Sequence, residues 1–255
     1  MFPRIHVNIA PGAEIEIWKT EIGLDNASHF INLVTEIVIC ENAHLKWTNS
    51  QEMNHKMGYI SSFNITLNKD ATAKYNSFEF GGGFVRHDIN VNFDASNGDC
   101  EINSLFIPNG KQHIDISTIV HHKSPHCSSR QLVKGILGGN SRAVFRGLAN
   151  VYKEAGKTDA RQNNKNLILS PSARVNSIPQ LEIYEDDVKC SHGSTTGQIE
   201  EEALFYLQSR GINRTDAMEL MVRGFANEVV DKVENQDMKK YIQNSLIQKM
   251  EGMIQ

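Results

Sequence analysis

Three stretches of the sequence decide its fold class: EIEIW at residues 14–18, DINVNF at residues 88–93 and HIDISTIV at residues 113–120. Polar and apolar side chains alternate in each, which is the periodicity of a β-strand with one buried face. Looser versions recur roughly every 10 to 15 residues from Ile5 to about Ile199, separated by Asn, Gly, Asp or Pro. No helix-length segment intervenes, so a β-α-β sheet is excluded and a sandwich, a barrel or a stacked β-solenoid remains.

Turn signals favour the solenoid among these three folds. Asn-Gly is the commonest pair in a tight β-hairpin, and only Asn97-Gly98 and Asn109-Gly110 fit that pattern. Scarce hairpin signals indicate coils that turn through irregular corners, although no tight repeat such as a hexapeptide is visible. We therefore predict a parallel β-solenoid with little helix before about residue 199.

The apolar period changes after the last strand-like segment, where helices are predicted. Glu200–Glu202 suit a helix N-terminus, and Arg210-Gly211 form a stop signal. Asn213 is placed to cap a second helix. The sequence therefore predicts a β core over residues 1–198 and a C-terminal helical domain over residues 199–255. The apolar residues of a third helix are Met238, Tyr241, Ile242 and Leu246.

Composition excludes several classes of protein. The chain has 26 Lys and Arg against 30 Asp and Glu and no basic block, so nucleic acid is not an expected partner. No apolar run is long enough to span a membrane, and the N-terminus lacks the apolar segment of a signal peptide. The cysteines lie far apart without a C-x-x-C pair, which is typical of the reducing cytosol, so we expect cytoplasmic localisation. They are Cys40, Cys100, Cys127 and Cys190.

Three further motifs have simple interpretations. GKTDA at residues 156–160 resembles the end of a phosphate-binding loop, but Val151 stands where the full motif requires glycine, so no nucleotide site is predicted. The triple glycine at residues 81–83 marks a tight corner or a close approach of strands. HHKSPHC at residues 121–127 contains groups that suit zinc or iron. No acidic residue completes a set there, so a polar corner of solvated histidines is the simpler interpretation.

The segment VKCSHGSTTG at residues 188–197 places Cys190 and His192 two residues apart, so on a strand their side chains share a face. A Cys–His nucleophile would need an orienting third group and an oxyanion hole. A closed zinc site would need two more ligands. A third interpretation, a buried thiol beside a surface imidazole, requires no further residues. The fourth interpretation is a half-site that a partner chain completes.

Several stretches from about Cys127 to Gly224 carry a family signature, among them HCSSRQLVKGIL, SRAVFRGLANVYKEAGKTDARQNNKNLILS and PQLEIYEDDVKCSHGSTTGQIEEEALFYLQSRGI. The most specific part is DDVKCSHG followed by FYL-x-SRGI. On these stretches the chain resembles SufD-type members of the SufB/SufD family, which are scaffold subunits of the SUF iron–sulfur cluster assembly system. A weaker similarity continues back to Phe2.

The resemblance implies a right-handed parallel β-helix core followed by a C-terminal helical domain. It implies a SufB-like paralogue as partner through the β-helices and the SufC ATPase as partner through the C-terminal helices, with no nucleotide bound by this chain. His192 matches a histidine at the SufB–SufD interface, and Cys190 matches the neighbouring cysteine. Both are expected to ligate a transient iron–sulfur cluster shared with the SufB-like partner. The expected SufC-binding residues are Phe205, Tyr206, Arg210 and Phe225.

Other functions stay open beside a non-enzymatic scaffold of this kind. Family members usually carry an N-terminal helical domain, whereas this sequence begins almost at its first strand, so functions of that domain are not expected of it. One alternative is a self-associating SufB/SufD-like scaffold that forms a homodimer. The other is a polysaccharide-active β-helix enzyme, which would need clustered carboxylates. Asp186-Asp187 is such a pair, whereas Glu200–Glu202 are explained as a helix N-terminus.

Overall fold

Strands dominate the structure and belong to two sheets. A computed structural model describes residues 1–23 and 27–254, and in this part of the chain each sheet has seven strands. The odd-numbered sheet consists of β1 (Arg4–Ile9), β3 (Phe30–Ile39), β5 (Gly58–Leu67), β7 (Phe84–Phe93), β9 (His113–His122), β11 (Arg142–Val151) and β13 (Arg174–Ile183). The even-numbered sheet consists of β2 (Glu14–Ile22), β4 (His44–Glu52), β6 (Thr72–Glu79), β8 (Asp99–Phe106), β10 (Ser128–Leu137), β12 (Asp159–Ile168) and β14 (Lys189–Gln198).

Each coil contributes one strand to each sheet, and the coils stack in parallel. All strand pairings between the described residues are parallel. The length of a coil varies: stacked Asn64 and Asn90 are 26 residues apart, whereas stacked Asn150 and Glu182 are 32 residues apart. The protein is therefore a parallel β-solenoid of seven coils, which confirms the fold predicted from alternation and scarce hairpin signals.

The two Asn-Gly pairs lie at corners between strands of different sheets and not in hairpins. Asn97, between β7 and β8, has φ 64°, and Gly110, between β8 and β9, has φ 61°. Asn, Asp and Gly adopt this left-handed conformation more readily than other residues. Asn42 and Asp70 adopt it at two other corners, with φ 55° and 57°. Local turn chemistry therefore sets the corners without reversing the strand direction within a sheet.

Alternate residues of each strand point into the solenoid and form its core. The rings of Phe63 and Tyr75 stack with centroids 4.1 Å apart, and Trp47 packs edge-on against Phe63 at 5.1 Å. Burial of each large apolar side chain contributes about 1.5–3 kcal/mol. The core is not wholly apolar, because the Glu79 carboxylate and the His87 ring are fully buried and hydrogen-bonded at 2.8 Å.

Three helices follow the last strand: α1 (Glu201–Ser209), α2 (Arg214–Val230) and α3 (Gln236–Glu251). The Asn213 side chain accepts a hydrogen bond from the backbone N–H of Asp216 at 2.9 Å, which confirms the predicted cap of the second helix. Helices α2 and α3 pack on the outer face of the even-numbered sheet. The apolar cluster at this contact includes Phe78, Leu105 and Ile136 of the sheet and Val222, Val229, Ile242 and Leu246 of the helices.

The buried Lys134 side chain links α2 to the even-numbered sheet. The Lys134 ammonium on β10 pairs with Glu228, donates to the carbonyl oxygen of Phe225 at 2.8 Å and lies 4.0 Å from the centroid of the Phe225 ring. The helices and the even-numbered sheet share one apolar cluster, so the helices do not have a core of their own among the described residues. A separate helical domain over residues 199–255 stays a prediction, and residue 255 lies outside the described residues. No helix between residues 1–23 or 27–254 is long and apolar enough to cross a lipid bilayer.

Candidate metal half-site and partner surfaces

The seventh coil, formed by β13 and β14, is the C-terminal end of the solenoid, called the open end below; the first coil, formed by β1 and β2, is the opposite end. Within the described chain β13 pairs only with β11, and β14 pairs only with β12. Each strand therefore leaves one edge of backbone N–H and C=O groups without a strand partner. Such edges are templates for pairing with another chain.

Cys190 and His192 lie on β14 and continue two interior columns of the solenoid. Their register partners on β12, Ala160 and Gln162, are buried, with 1% and 3% of their surface exposed. No strand of the described chain covers β14, so Cys190 is half-buried and His192 is exposed. The structure thus brings the thiol and the imidazole to the same face, at the mouth of the solenoid.

Burial controls the protonation of the Cys190 thiol. It raises the pKa of the thiol above the usual value; a hydrogen bond from the backbone of Ala160 lowers this pKa, and the nearby Asp159 carboxylate raises it again. Cys190 is therefore a protonated thiol in the chain by itself. Because metals bind the thiolate, an iron ion arriving here would have to displace that proton.

A column of buried amides lies directly beneath His192. Gln162 Nε2 donates to Gln131 Oε1 at 3.3 Å, and Thr118 Oγ1 donates to the same oxygen at 2.7 Å. Gln162 Oε1 is buried without a hydrogen-bond partner among the residues described. The Gln162 amide has room because residue 147 is glycine: a Cβ on Gly147 would lie 1.8 Å from Gln162 Nε2.

Sequence reasoning missed this amide column and the hydroxyl groups beside it. The signal is in RQNNKN at residues 161–166, because its inward-pointing strand positions are all amides. Asn164 Oδ1 accepts a hydrogen bond from Ser177 Oγ at 2.7 Å, and Ser177 Oγ accepts one from Ser194 Oγ at 2.7 Å. These hydrogen bonds link β12 to both strands of the open end, β13 and β14.

Apolar side chains are exposed at the same open end. Ile183 stacks in register over the fully buried Val151, yet 42% of Ile183 is exposed because no coil covers it. Tyr184, the next residue, is 64% exposed. Core-type residues that end in solvent at an unpaired strand edge are typical of a surface for another protein.

The histidine-rich segment at residues 121–127 does not form one site. His121 faces outward and its Nδ1 lies 3.2 Å from the Tyr152 hydroxyl. His122 faces inward, is hydrogen-bonded to Ser129 and stacks on Phe93, and burial lowers its pKa to about 4. The interpretation as solvated histidines is therefore wrong for His122. No group of three or more His, Cys, Asp or Glu in the described ranges is arranged to hold a metal ion.

The expected SufC-binding residues separate into two groups. Phe205 and Tyr206 on α1 are 73% and 58% exposed, and the Arg210 guanidinium lies 5.4 Å from the centroid of the Tyr206 ring. Phe225 instead lies on the side of α2 that faces the sheet, where its ring contacts Lys134. It is therefore separate from the exposed surface of α1. Leu220 on α2, which sequence reasoning missed, is 53% exposed.

Comparison with known proteins gives consistent matches over most of the chain. Residues 1–225 match the family model described as "SUF system FeS cluster assembly, SufBD core domain". The chain is 38% identical to the iron–sulfur cluster assembly protein SufD of Escherichia coli, over 98% of this chain and 59% of that protein. It is 35% identical to a SufBD family protein of Synechocystis, over 80% of this chain and 45% of that protein.

A plant relative extends the comparison. The chain is 32% identical to the protein ABCI7, chloroplastic, of Arabidopsis thaliana, over 95% of this chain and 51% of that protein. The chain thus spans about half the length of the curated relatives it matches. The family match continues through α1 and most of α2, so it includes helices as well as the solenoid.

Proposed function

Since this chain belongs to the SufBD family of the SUF system for iron–sulfur cluster assembly, we propose that it is a SufD-type scaffold subunit on which such clusters are built, and not an enzyme. One observation carries the proposal: the solenoid ends in an uncovered coil that presents Cys190 and His192 side by side on a strand with a free edge. We further propose that it works in the cytoplasm and binds no nucleotide itself.

The free edges of β13 and β14 support a SufB-like paralogue as the partner at the open end. Backbone groups of both edges can accept a strand from another solenoid, and the exposed Ile183 and Tyr184 would be covered by it. A second copy of this chain could use the same edges, so a homodimer is the competing assembly when the paralogue is absent.

The chemistry of the two side chains supports a cluster ligated across that interface. His192 supplies a neutral nitrogen ligand, and Cys190 supplies sulfur once iron has displaced its proton. Imidazole and thiolate together are known ligands of iron–sulfur clusters. Two ligands do not complete such a site, so the partner must supply the others. The cluster is then cargo that leaves the scaffold, and not a resident cofactor.

An interface test should separate pairing from folding. We expect Ile183→Asp to abolish co-purification with the SufB-like partner, because it places a charge on the apolar surface of the open end. Ile22→Asp is the matched control, since Ile22 is 53% exposed on β2, at the other end of the even-numbered sheet. Pairing that survives Ile183→Asp, or that Ile22→Asp abolishes equally, would contradict the proposal. Native mass of the chain alone and with the partner distinguishes homodimer from heterodimer.

Helix α1 supports SufC as the second partner. Phe205 and Tyr206 are exposed apolar side chains on a short helix, and Arg210 lies close to Tyr206, where a charged partner surface could pair with it. Phe225 is assigned to packing, because its ring lies against the Lys134 ammonium.

Point variants test SufC binding better than removal of the helices. Deleting them would expose the apolar outer face of the even-numbered sheet. We expect Phe205→Ser with Tyr206→Ser to lose SufC capture while the chain keeps its thermal stability, whereas Phe84→Ser, which alters a 43% exposed side chain of the solenoid, should bind normally. Full capture by the α1 double variant would refute this surface.

A further inference from the structure

A cleft of about 850 Å³ lies at the corners of the middle coils of the solenoid, whereas the candidate metal half-site lies on the seventh coil. Its walls come from three stacked corners, those after β4, β6 and β8, and from the last turn of α3. A cleft of this size suits a small organic molecule. Neither the candidate metal half-site nor the partner surfaces on the open end and on α1 include it. The side chains that matter for its chemistry are Lys56, Met57, Phe84, Lys111, Gln112 and Lys249.

The triple glycine at residues 81–83 shapes this cleft. A Cβ on Gly81 would lie 2.2 Å from the carbonyl oxygen of Met53, and one on Gly83 would lie 2.2 Å from the carbonyl oxygen of His55. Gly82 has φ 81°, a conformation that favours glycine. The three glycines therefore let one corner lie directly against the backbone of the preceding corner, as the sequence predicted.

The Lys249 ammonium reaches into the cleft from α3 and is held in place there. Its Nζ donates to Gln112 Oε1 at 2.8 Å. The Gln112 amide is itself fixed, because its Oε1 accepts from the backbone N–H of Asn109 at 2.8 Å and its Nε2 donates to the carbonyl oxygen of Gly82 at 2.6 Å. An ammonium has three donors, and the described residues accept from one of them.

The charge of Lys249 is not compensated, which distinguishes it from the other lysines whose pKa is lowered chiefly by burial. Lys19 is paired with Glu21 at 3.1 Å, and Lys134 is paired with Glu228. Burial alone lowers the pKa of Lys249, to about 8, and no carboxylate of the described chain offsets this effect. Lys249 is half-buried, and a partly desolvated ammonium without a counter-ion is unfavourable, so an anion that entered the cleft would be stabilised.

Two further lysines and an apolar wall complete the cleft. Lys56 and Lys111 are exposed at its mouth, and no Asp or Glu lines it among the described residues. Met57 is buried in the wall and Phe84 is 43% exposed beside it. Lysine binds phosphate as a point charge, as the lysine of phosphate-binding loops does.

We propose that this cleft binds a small organic phosphate other than a nucleotide, with the phosphate group on Lys249, Lys56 and Lys111 and the organic group against Met57 and Phe84. The assignment needs neither the cluster site nor either protein partner. A result that refutes phosphate binding would therefore leave the proposed scaffold function unaffected, and the reverse also holds.

Calorimetric titration of the full chain with inorganic phosphate and with phenyl phosphate tests the proposal. We expect phenyl phosphate to bind at least threefold more tightly than inorganic phosphate, because only the former covers the apolar wall. Lys249→Met should weaken both by tenfold or more. Lys240→Met is the matched control, since Lys240 is an exposed lysine of the same helix, and it should change neither Kd. Sodium chloride at equal ionic strength should not compete.

A second measurement on the unaltered chain covers the case in which Lys249→Met disturbs folding. Acetylation of each lysine by acetic anhydride, read by mass spectrometry across pH 7 to 11, reports the protonation of Lys249 directly. Bound phenyl phosphate favours the charged amine, so it should move the Lys249 midpoint upward and leave Lys240 unchanged. An unmoved midpoint, binding that ignores Lys249→Met, or equal affinity for the two phosphates would overturn the proposal.

Discussion

Substitution of Gly147 by alanine tests the amide column beneath the candidate metal half-site. Gly147 lies on β11 and faces the Gln162 amide across the interior. The added Cβ would lie 1.8 Å from Gln162 Nε2, 2.6 Å from Gln162 Cδ and 2.8 Å from Phe145 Cζ. Real Cβ atoms do not approach other atoms so closely, so the Gln162 side chain has to leave its position, and its hydrogen bond to Gln131 Oε1 is lost.

The size of the effect follows from two contributions. Overpacking of a close-packed core costs about 1–3 kcal/mol. Loss of the hydrogen bond between Gln162 and Gln131 costs about 1 kcal/mol more. Gly147→Ala should therefore lower the free energy of unfolding by about 2–4 kcal/mol, which corresponds to a fall in Tm of roughly 4–16 °C for a chain of this size.

Urea unfolding followed by circular dichroism measures this loss. Gly193→Ala is the matched control, because Gly193 also lies in a strand but a Cβ there meets nothing within 4 Å. It should change the free energy of unfolding by less than about 0.5 kcal/mol. Adding Gln162→Ala to Gly147→Ala should be less destabilising than the sum of the two single changes. If Gly147→Ala is as stable as Gly193→Ala, the described packing of the column is refuted.

Three other predictions concern stability. The pKa of His122 is about 4 in the folded chain and about 6.5 in the unfolded chain, so its contribution to stability is complete above pH 6.5 and is lost as pH falls through 4. His122→Phe should remove this pH dependence, about 3 kcal/mol, in urea titrations. Asn213→Ala should cost about 1 kcal/mol in thermal melts by removing the cap on Asp216, whereas Asn213→Ser, which keeps an oxygen that can accept from the Asp216 N–H, should cost less. His87→Leu removes the ring that is hydrogen-bonded to the buried Glu79 side chain and leaves Ser77 Oγ as the remaining donor to it, so it should cost about 3–5 kcal/mol, part of which Glu79→Gln recovers in the double variant. Equal stability of the single and double variants would contradict this.

Local patterns predicted the elements of this fold, because strands and helix caps are determined by nearby residues. Alternation located the strands, and Asn213 marked the start of α2. The repeat itself was not visible in the sequence. Coils differ in length, as the separations of 26 residues for Asn64–Asn90 and 32 residues for Asn150–Glu182 illustrate, so stacked residues have no constant spacing.

The same variation limits what the sequence indicates about sites. Cys190 and His192 belong to one strand, so their spacing was enough to place them on one face. Gln162 stacks under His192 only because of the corner that joins β12 to the next coil, and that register is a tertiary property. The cleft at Lys249 depends likewise on three corners and a helix end that are distant in sequence.

The iron and acid-labile sulfide content of the purified complex with the SufB-like partner and SufC tests the scaffold account most directly. His192→Ala removes a nitrogen ligand from an exposed position without opening a cavity, so the complex should still form. Cys190→Ser should keep the complex and lower cluster content as much as His192→Ala if the thiol is a ligand, and less if it only supports one. Thr195→Ala, at an exposed position on the opposite face of β14, is the control.

We expect the His192→Ala complex to have wild-type subunit composition and to have lost most of its iron and sulfide, while the Thr195→Ala complex retains both. A His192→Ala complex that holds iron and sulfide at wild-type levels would contradict the shared cluster site, and His192 would then be a surface imidazole at a protein interface.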